Sequence, residues 1–266
     1  MQHRMTLERG LVLMAGLCGA IALHVIPVFA GDTCAALGLG NVGAIHAALT
    51  AAIKSVAPQQ AANGGLGNHM WATIVDQDGV VCAVTFTGDT RIDQWPGSRV
   101  ISAQKANTAA SFNLPAGVGG TVDALATANL WKQVQPGGTL FGLQFSNPVD
   151  PAVAYGNNPA KYGTAEDPLV GQFIGGVNVF GGGLALYNKQ GQKVGALGVS
   201  GDTSCADHNI AWRTRHALNL DFLTTGGVSG LTAAPFQDNI IYNTNAAFGH
   251  PTCGFGEDTK VLPATQ

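Results

Sequence analysis

Charged residues are scarce in this chain: Asp, Glu, Lys and Arg make up 11% of 266 residues, and the formal net charge is −3. The lysines and arginines stand singly, so no basic stripe exists to neutralise a phosphate backbone, which argues against nucleic acid as a partner. Internal repeats and low-complexity tracts are missing as well. Three familiar motifs each lack a required part. "GLGNVG", residues 38–43, satisfies G-x-G-x-x-G, yet no mature strand precedes it and no acidic residue follows at the ~20-residue offset that would hold a ribose. Gly181-Gly182-Gly183 has no Gly-Lys-Ser/Thr after it and is no phosphate loop. "GVSGD" has Asp202 where a nucleophile elbow needs glycine, which argues against an α/β-hydrolase.

What the chain has in quantity is apolar residues, at 46%, and glycine, at 37 residues or about twice the ~7% of average usage. The first allows one substantial core and a single domain over residues 31–266; the second points to tight turns and close backbone contacts.

Residues 1–30 predict an export signal. Arg4 and Arg9 precede the apolar run "LVLMAGLCGAIALHVIPVFA", Pro27 interrupts it, and Val28 and Ala30 place small residues before "GD". Cleavage after Ala30 is expected, leaving a periplasmic or secreted chain with no membrane partner. A retained anchor is the alternative, since the run approaches the ~20 residues of a span. Cys34, Cys82, Cys205 and Cys253 remain, an even set that in an oxidising compartment predicts two disulfides rather than a zinc site. All three connectivities stay open; Cys205 with Cys253 and Cys34 with Cys82 is preferred, because the first pair would tie a Gly-rich tail to a helix junction.

Ile45, Leu49, Ile53 and Val56 recur at helical spacing in "NVGAIHAALTAAIKSVA", the first predicted helix. Gln77-Asp78-Gly79 joins two β-branched runs, Trp71 to Val75 and Val80 to Phe86, into a hairpin. Ser98 is read as the N-cap of a helix ending near Phe112. Residues 114–172 form a long loop-rich excursion in which "VDALATANLWKQV" could be a short helix; a connection of that length is usually functional or a lid. Strands return around a second turn at Lys189 to Gln192, followed by the helix "CADHNIAWRTRHAL" and a Pro/Gly/Asn-rich tail, 224–266. This order describes an α+β fold around one antiparallel sheet.

The stretch 202–216 concentrates chemistry. Asp202 or Ser204 can cap the helix, and Ser204 with Asp207 three residues on approximates a capping box. His208, Trp212 and His216 then recur at i, i+4 and i+8, with Arg215 beside them. Histidines eight residues apart lie ~12 Å apart along a helix, too far for one metal ion to bridge. A flat ligand carrying iron and acidic groups matches better, with imidazole for iron, indole for the ring and arginine for a carboxylate. The plain alternative is a half-buried helix with ordinary polar contacts. His46, His69 and His250 read as structural or solvated, His69 being the best placed because strand ends line pockets; Lys105, mid-helix, reads as solvated by default.

The order of "WATIVDQDGVVCAVTFTGD", "SRVISAQKANTAASF" and "GGVNVFGGGLALYNKQGQKVGALGVSGDTSCADHNIAW" resembles the GlcG/HbpS family of haem-binding or haem-degrading domains, which includes the C-terminal domain of some PduO proteins. The carrying features are the V-D-x-x-G hairpin, the K-A-x-T-A helix (Lys105, Ala106, Thr108, Ala109), and "GALGVSG" followed by Asp207, Ile210 and Ala211. The resemblance covers residues 69–113 and 175–217. It implies a profilin-like domain with a five-stranded antiparallel sheet flanked by helices, haem as cofactor, and homo-oligomers. The 114–172 insertion, the tail, the four cysteines and "TGDTRIDQWPG" after the second strand depart from the family pattern. The leading reading is an exported haem-binding protein with His208 or His69 as axial ligand, His216 in reserve, and Arg215 and Lys105 as propionate partners. Haem breakdown or redox sensing would follow from bound iron meeting peroxide. Two other readings stand beside it: an exported enzyme or small-molecule binder using Asp202, Asp207 and His208 under a 114–172 lid, and a disulfide-stabilised structural protein with an interaction surface on its Gly/Asn-rich segments.

Overall fold

A computed structural model of the chain describes residues 33–114, 124–224, 226–228 and 231–266; the expected export signal lies outside them. Helix α1 (Val42–Val56) begins where the Asn41 side chain accepts the Ala44 N–H at 3.0 Å, and it buries the Ile45, Leu49, Ile53 stripe. Strands β1 (Trp71–Val75) and β2 (Val81–Phe86) form the first hairpin. Its turn is held by Asp76, whose Oδ1 accepts the N–H groups of Asp78 and Val80, both at 2.9 Å. Helix α2 (Ser98–Ser111), the hairpin of β3 (Gly183–Tyr187) and β4 (Lys193–Ser200), and helix α3 (Ser204–Ala217) complete the core.

The sheet runs β2-β1-β4-β3, antiparallel throughout, and is covered on both faces. Alternation along β1 divides the core: Ala72 and Ile74 pack with α1 and α3, while Trp71 and Val75 pack with α2. The α2 side is tight. A Cβ on Gly198 would lie 1.9 Å from the Ser102 carbonyl oxygen and 2.5 Å from the Ala106 nitrogen, so glycine there lets the helix backbone rest on β4.

Four strands are present among the described residues, where five were predicted. After α3 the chain meets the β3 edge only at Tyr187, through a single bridge to Asp221. Asn219, at φ 59°, turns the chain in, and the Leu223 N–H folds back onto the Asp221 carbonyl at 2.9 Å, so no register is sustained. Two caps also differ. Gly97 rather than Ser98 precedes α2, because the Ser98 N–H is already met by the Trp95 carbonyl in the entering turn. Thr203, not Asp202 or Ser204, caps α3 by accepting the Ala206 N–H at 3.2 Å. Of the short helix read in 122–134, residues 122 and 123 lie outside the described residues, and the rest holds two 3₁₀ turns, Thr127–Leu130 and Lys132–Val134.

The disulfides are Cys34–Cys82, tying the N-terminal turn to β2, and Cys205–Cys253, tying α3 to the tail. The described part of the insertion docks on α2 through buried Arg99. Its guanidinium pairs with Asp167, donates to the Ala154 carbonyl at 2.9 Å and stacks 3.6 Å over Tyr162. No described helix is long and apolar enough to cross a membrane.

Candidate functional site

The carboxyl end of β4, the middle of α2 and the first turn of α3 converge on a buried ion pair. Lys105 Nζ lies 2.6 Å from Asp207 Oδ2 and 3.0 Å from the Val199 carbonyl, with side chains only 1% and 3% exposed. Asp207 Oδ1 accepts the Asp202 N–H at 2.8 Å, and the Asp202 carboxylate in turn accepts the N–H groups of Leu66 and Asn68, each at 3.0 Å or less. Burial pushes the Asp207 carboxyl up to about 6 against the pull of Lys105, and pushes the Lys105 ammonium down against the pull of Asp207. Perturbed groups of this kind concentrate at functional sites.

Above the pair opens a cleft of about 240 Å³. Its floor is Lys105, Asp207, Asp202, Ser200 and Ser204; its apolar walls are Trp95, Ile101 and Phe180. Trp95 and Phe180 are each about half exposed, an arrangement that leaves two aromatic rings at the mouth. Phe180 is braced from the insertion, where Thr127 Oγ1 donates to its carbonyl at 2.5 Å. None of the lining residues comes from the described part of 114–172. A larger cleft, about 600 Å³, lies at the β3–β4 turn, but its polar lining is chiefly the amides of Gln77, Asn188, Gln190 and Gln192, and its Lys193 is engaged with the carbonyls of Ala110 and Asn113.

Of the residues singled out in the sequence, Lys105, Asp202 and Asp207 come together here. His69 is next in sequence to Asn68, which Asp202 holds, and is not among the residues lining the cleft. It is exposed and uses Nδ1 toward Thr87 Oγ1 at 3.2 Å, leaving Nε2 without a hydrogen-bond partner among the described residues. His208 follows Asp207 but points elsewhere: it is fully buried, its Nε2 is 3.2 Å from Asn239 Oδ1, and its ring packs against Trp212. Burial pushes its pKa down to about 3, which keeps the imidazole neutral. Arg215 is also sealed, bonded to Asp238 at 2.6 and 2.9 Å and lying 4.8 Å over Trp212. His216, at the far end of α3, is partly exposed and holds Asp221 at 2.7 Å. The His208–Trp212–Arg215 face is therefore interior, covered by the tail.

Trp95 and Phe180 were not singled out from sequence. The available signal was an aromatic set in a turn, "DQWPG" and "NVFGGG", where no core periodicity claims the ring.

Comparison with curated proteins gives no match. Among solved structures, Klebsiella pneumoniae protein ORFY is similar at 23% identity, over 70% of this chain and 88% of that one, with a TM-score of 0.42. A PduOC:haem complex is similar at 23% identity, over 69% of this chain and 94% of that one, with a TM-score of 0.42. HbpS is similar at 18% identity, over 65% and 88%, with a TM-score of 0.40. The family described as haem degrading protein HbpS-like matches residues 45–215, well over half of the sequence, including every strand, all of α2 and most of α1 and α3. The chain belongs to the HbpS-like haem-degrading protein family.

Proposed function

We propose that the chain binds haem across the mouth of the Trp95–Phe180 cleft, with His69 as the iron ligand. Membership of the family supports haem as the ligand class. One observation carries the placement: of His69, His208 and His216, only His69 is exposed on the loop that the Asp202 carboxylate holds, with Nε2 unengaged, whereas the unpaired Nδ1 of His208 is sealed inside the protein. At about 240 Å³ the cleft lies below the ~300–1,000 Å³ usual for small-molecule sites, so a macrocycle would enter by one edge and lie against the two aromatic rings. Haem held there supplies an iron able to react with peroxide, the chemistry from which breakdown or redox sensing follows. The protein's own residues bind and orient: Trp95 and Phe180 contact the ring, Ile101 keeps water from one wall, and Lys105 places a cation at the floor. A propionate would meet Lys105 or Arg215 directly only after an ion pair opens. Ligation by His208 would require Asn239 and the Phe180–Gly181 segment to move, since a Cβ on Gly181 would lie 3.0 Å from that of His208.

Export with cleavage after Ala30, and assembly into homo-oligomers, belong to the same proposal; two disulfides suit an oxidising compartment. The N-terminal mass of the exported chain and sedimentation of the purified protein test these two points. The central test is a hemin titration followed by absorbance, with His69→Ala, His208→Ala and His216→Ala run beside the parent. A saturable Soret shift lost in His69→Ala alone is expected. Loss in His208→Ala alone would move the ligand to α3, and no shift in the parent would overturn the proposal.

A second reading rests on the buried Lys105–Asp207 pair at the floor of an open cleft, with Ser200 and Ser204 beside it: a site for a small polar ligand handled by acid–base chemistry. Thermal-shift screening of small carboxylates and carbonyl compounds tests it, with Asp207→Asn expected to abolish any shift. A shift that survives in Asp207→Asn contradicts it.

A further inference from the structure

We infer that Cys205, His250 and Cys253 form a zinc site when their disulfide is reduced. The two sulfurs and an imidazole nitrogen all lie within 4.8 Å of one another, and His250 Nδ1 is 4.0 Å from Cys205 Sγ. Zn–S bonds of ~2.3 Å and Zn–N bonds of ~2.0–2.1 Å in a tetrahedral shell set ligand atoms roughly 3.5–3.8 Å apart. The imidazole already stands near that spacing from Cys205. Reduction lets the two sulfurs separate, and Cys253 is the one placed to move because it lies on the tail and is only partly buried, whereas Cys205 is fixed in α3.

The surroundings suit an anionic, metal-holding form. The Cys205 N–H, in the first turn of α3, donates to Cys253 Sγ at 3.2 Å, and a helix N-terminus favours negative charge on that sulfur. His250 Nε2 is 2.8 Å from Ser204 Oγ. With Nδ1 on the metal, Nε2–H donates to that hydroxyl, the second contact that orients a metal-bound imidazole. The metal replaces the present contact between Nδ1 and the Pro251 carbonyl at 2.6 Å. Trp131 packs 5.8 Å from the imidazole and limits its rotation. No comparable imidazole accompanies Cys34–Cys82 among the described residues, which makes that disulfide an internal control.

The chemistry balances with a dithiol as reductant. It delivers two electrons and two protons, the Cys205–Cys253 bond breaks, two S–H bonds form, and the reductant closes to its own disulfide. Zinc then displaces the two thiol protons to solvent and forms two Zn–S bonds and one Zn–N bond, with water in the fourth position. Disulfide and zinc are thus alternative occupants of one site. Because Ser204 also lines the cleft, the exchange takes place directly behind its wall.

The test uses the purified chain, oxidised or reduced by dithiothreitol and freed of reductant by gel filtration under nitrogen. Zinc binding is measured by titration calorimetry, and thiolate ligation by absorption of the cobalt-substituted protein. One zinc per reduced chain is expected, none per oxidised chain, and thiolate-to-cobalt absorption that disappears in a Cys205→Ser/Cys253→Ser variant but persists in Cys34→Ser/Cys82→Ser. His250→Ala should weaken binding by more than the ~10–100-fold that follows loss of an outer contact. If reduction unfolds the chain, zinc is expected to restore the near-ultraviolet circular dichroism of the oxidised protein. A reduced chain that binds no zinc, that stays unfolded in its presence, or that binds equally well without His250 overturns the inference.

Discussion

His208 is a neutral imidazole sealed beside the Arg215–Asp238 pair, and its depressed pKa makes it a source of acid sensitivity. In the folded chain it takes a proton only near pH 3; in the unfolded chain it does so near 6.5. The unfolded state therefore binds more protons between these values, and the stability that His208 contributes above pH 6.5 is lost as pH falls toward 3, at roughly 1.4 kcal/mol per unit. Asp207, raised from 3.8 to about 6, has the opposite slope over an overlapping window, so total stability hides the effect. The difference between parent and His208→Gln isolates it. Denaturant unfolding at several pH values should show the cost of that substitution shrinking steadily from pH 6.5 downward; a difference independent of pH would contradict the buried, neutral assignment. At this scale the residue types were legible, since Lys105, Asp207 and His208 all stand in motifs. Their partners were not: Lys105 is 102 residues from Asp207, and Arg215 finds Asp238 on the far side of a tail that carries no periodicity.

Among elements, the hairpins and the α1 stripe follow from local chemistry, a side chain gathering the turn N–H groups and apolar residues recurring on one face. Burial on both sides of α3 does not, because its cover comes from residues far along the chain: Pro263 accepts the Trp212 indole N–H at 2.8 Å, and the Glu257 carbonyl accepts from Asn209 at 3.0 Å. Helical spacing of His208, Trp212 and His216 looked like a ligand face for that reason. The α2–β4 contact gives the element-scale prediction. Gly198→Ala places a methyl against helix backbone, which cannot rotate away as a side chain could, and should cost about 1–3 kcal/mol. Because α2 carries Lys105, the same shift should widen the Lys105–Asp207 pair; a melting temperature unchanged by Gly198→Ala would mean that the helix sits farther from the sheet.

For the whole molecule, element order identified the family, since residues 45–215 keep the helix, hairpin, helix, hairpin, helix succession despite the long insertion. The cleft is a property of the assembled fold alone. Trp95 reaches it from the turn before α2, Phe180 from the loop before β3, Lys105 from mid-helix and Asp207 from α3. No window of sequence holds these together, and of the three disulfide connectivities that the sequence left open the structure has the preferred one, Cys34–Cys82 with Cys205–Cys253. The central claim, that haem lies across the two exposed rings rather than inside the α3 face, is tested most directly by the hemin affinity of Trp95→Ala/Phe180→Ala at unchanged thermal stability. Loss of stacking worth ~0.5–1.5 kcal/mol per ring, plus the lost apolar contact, predicts binding at least about tenfold weaker. Affinity equal to the parent would contradict the account and place the ligand elsewhere on the protein.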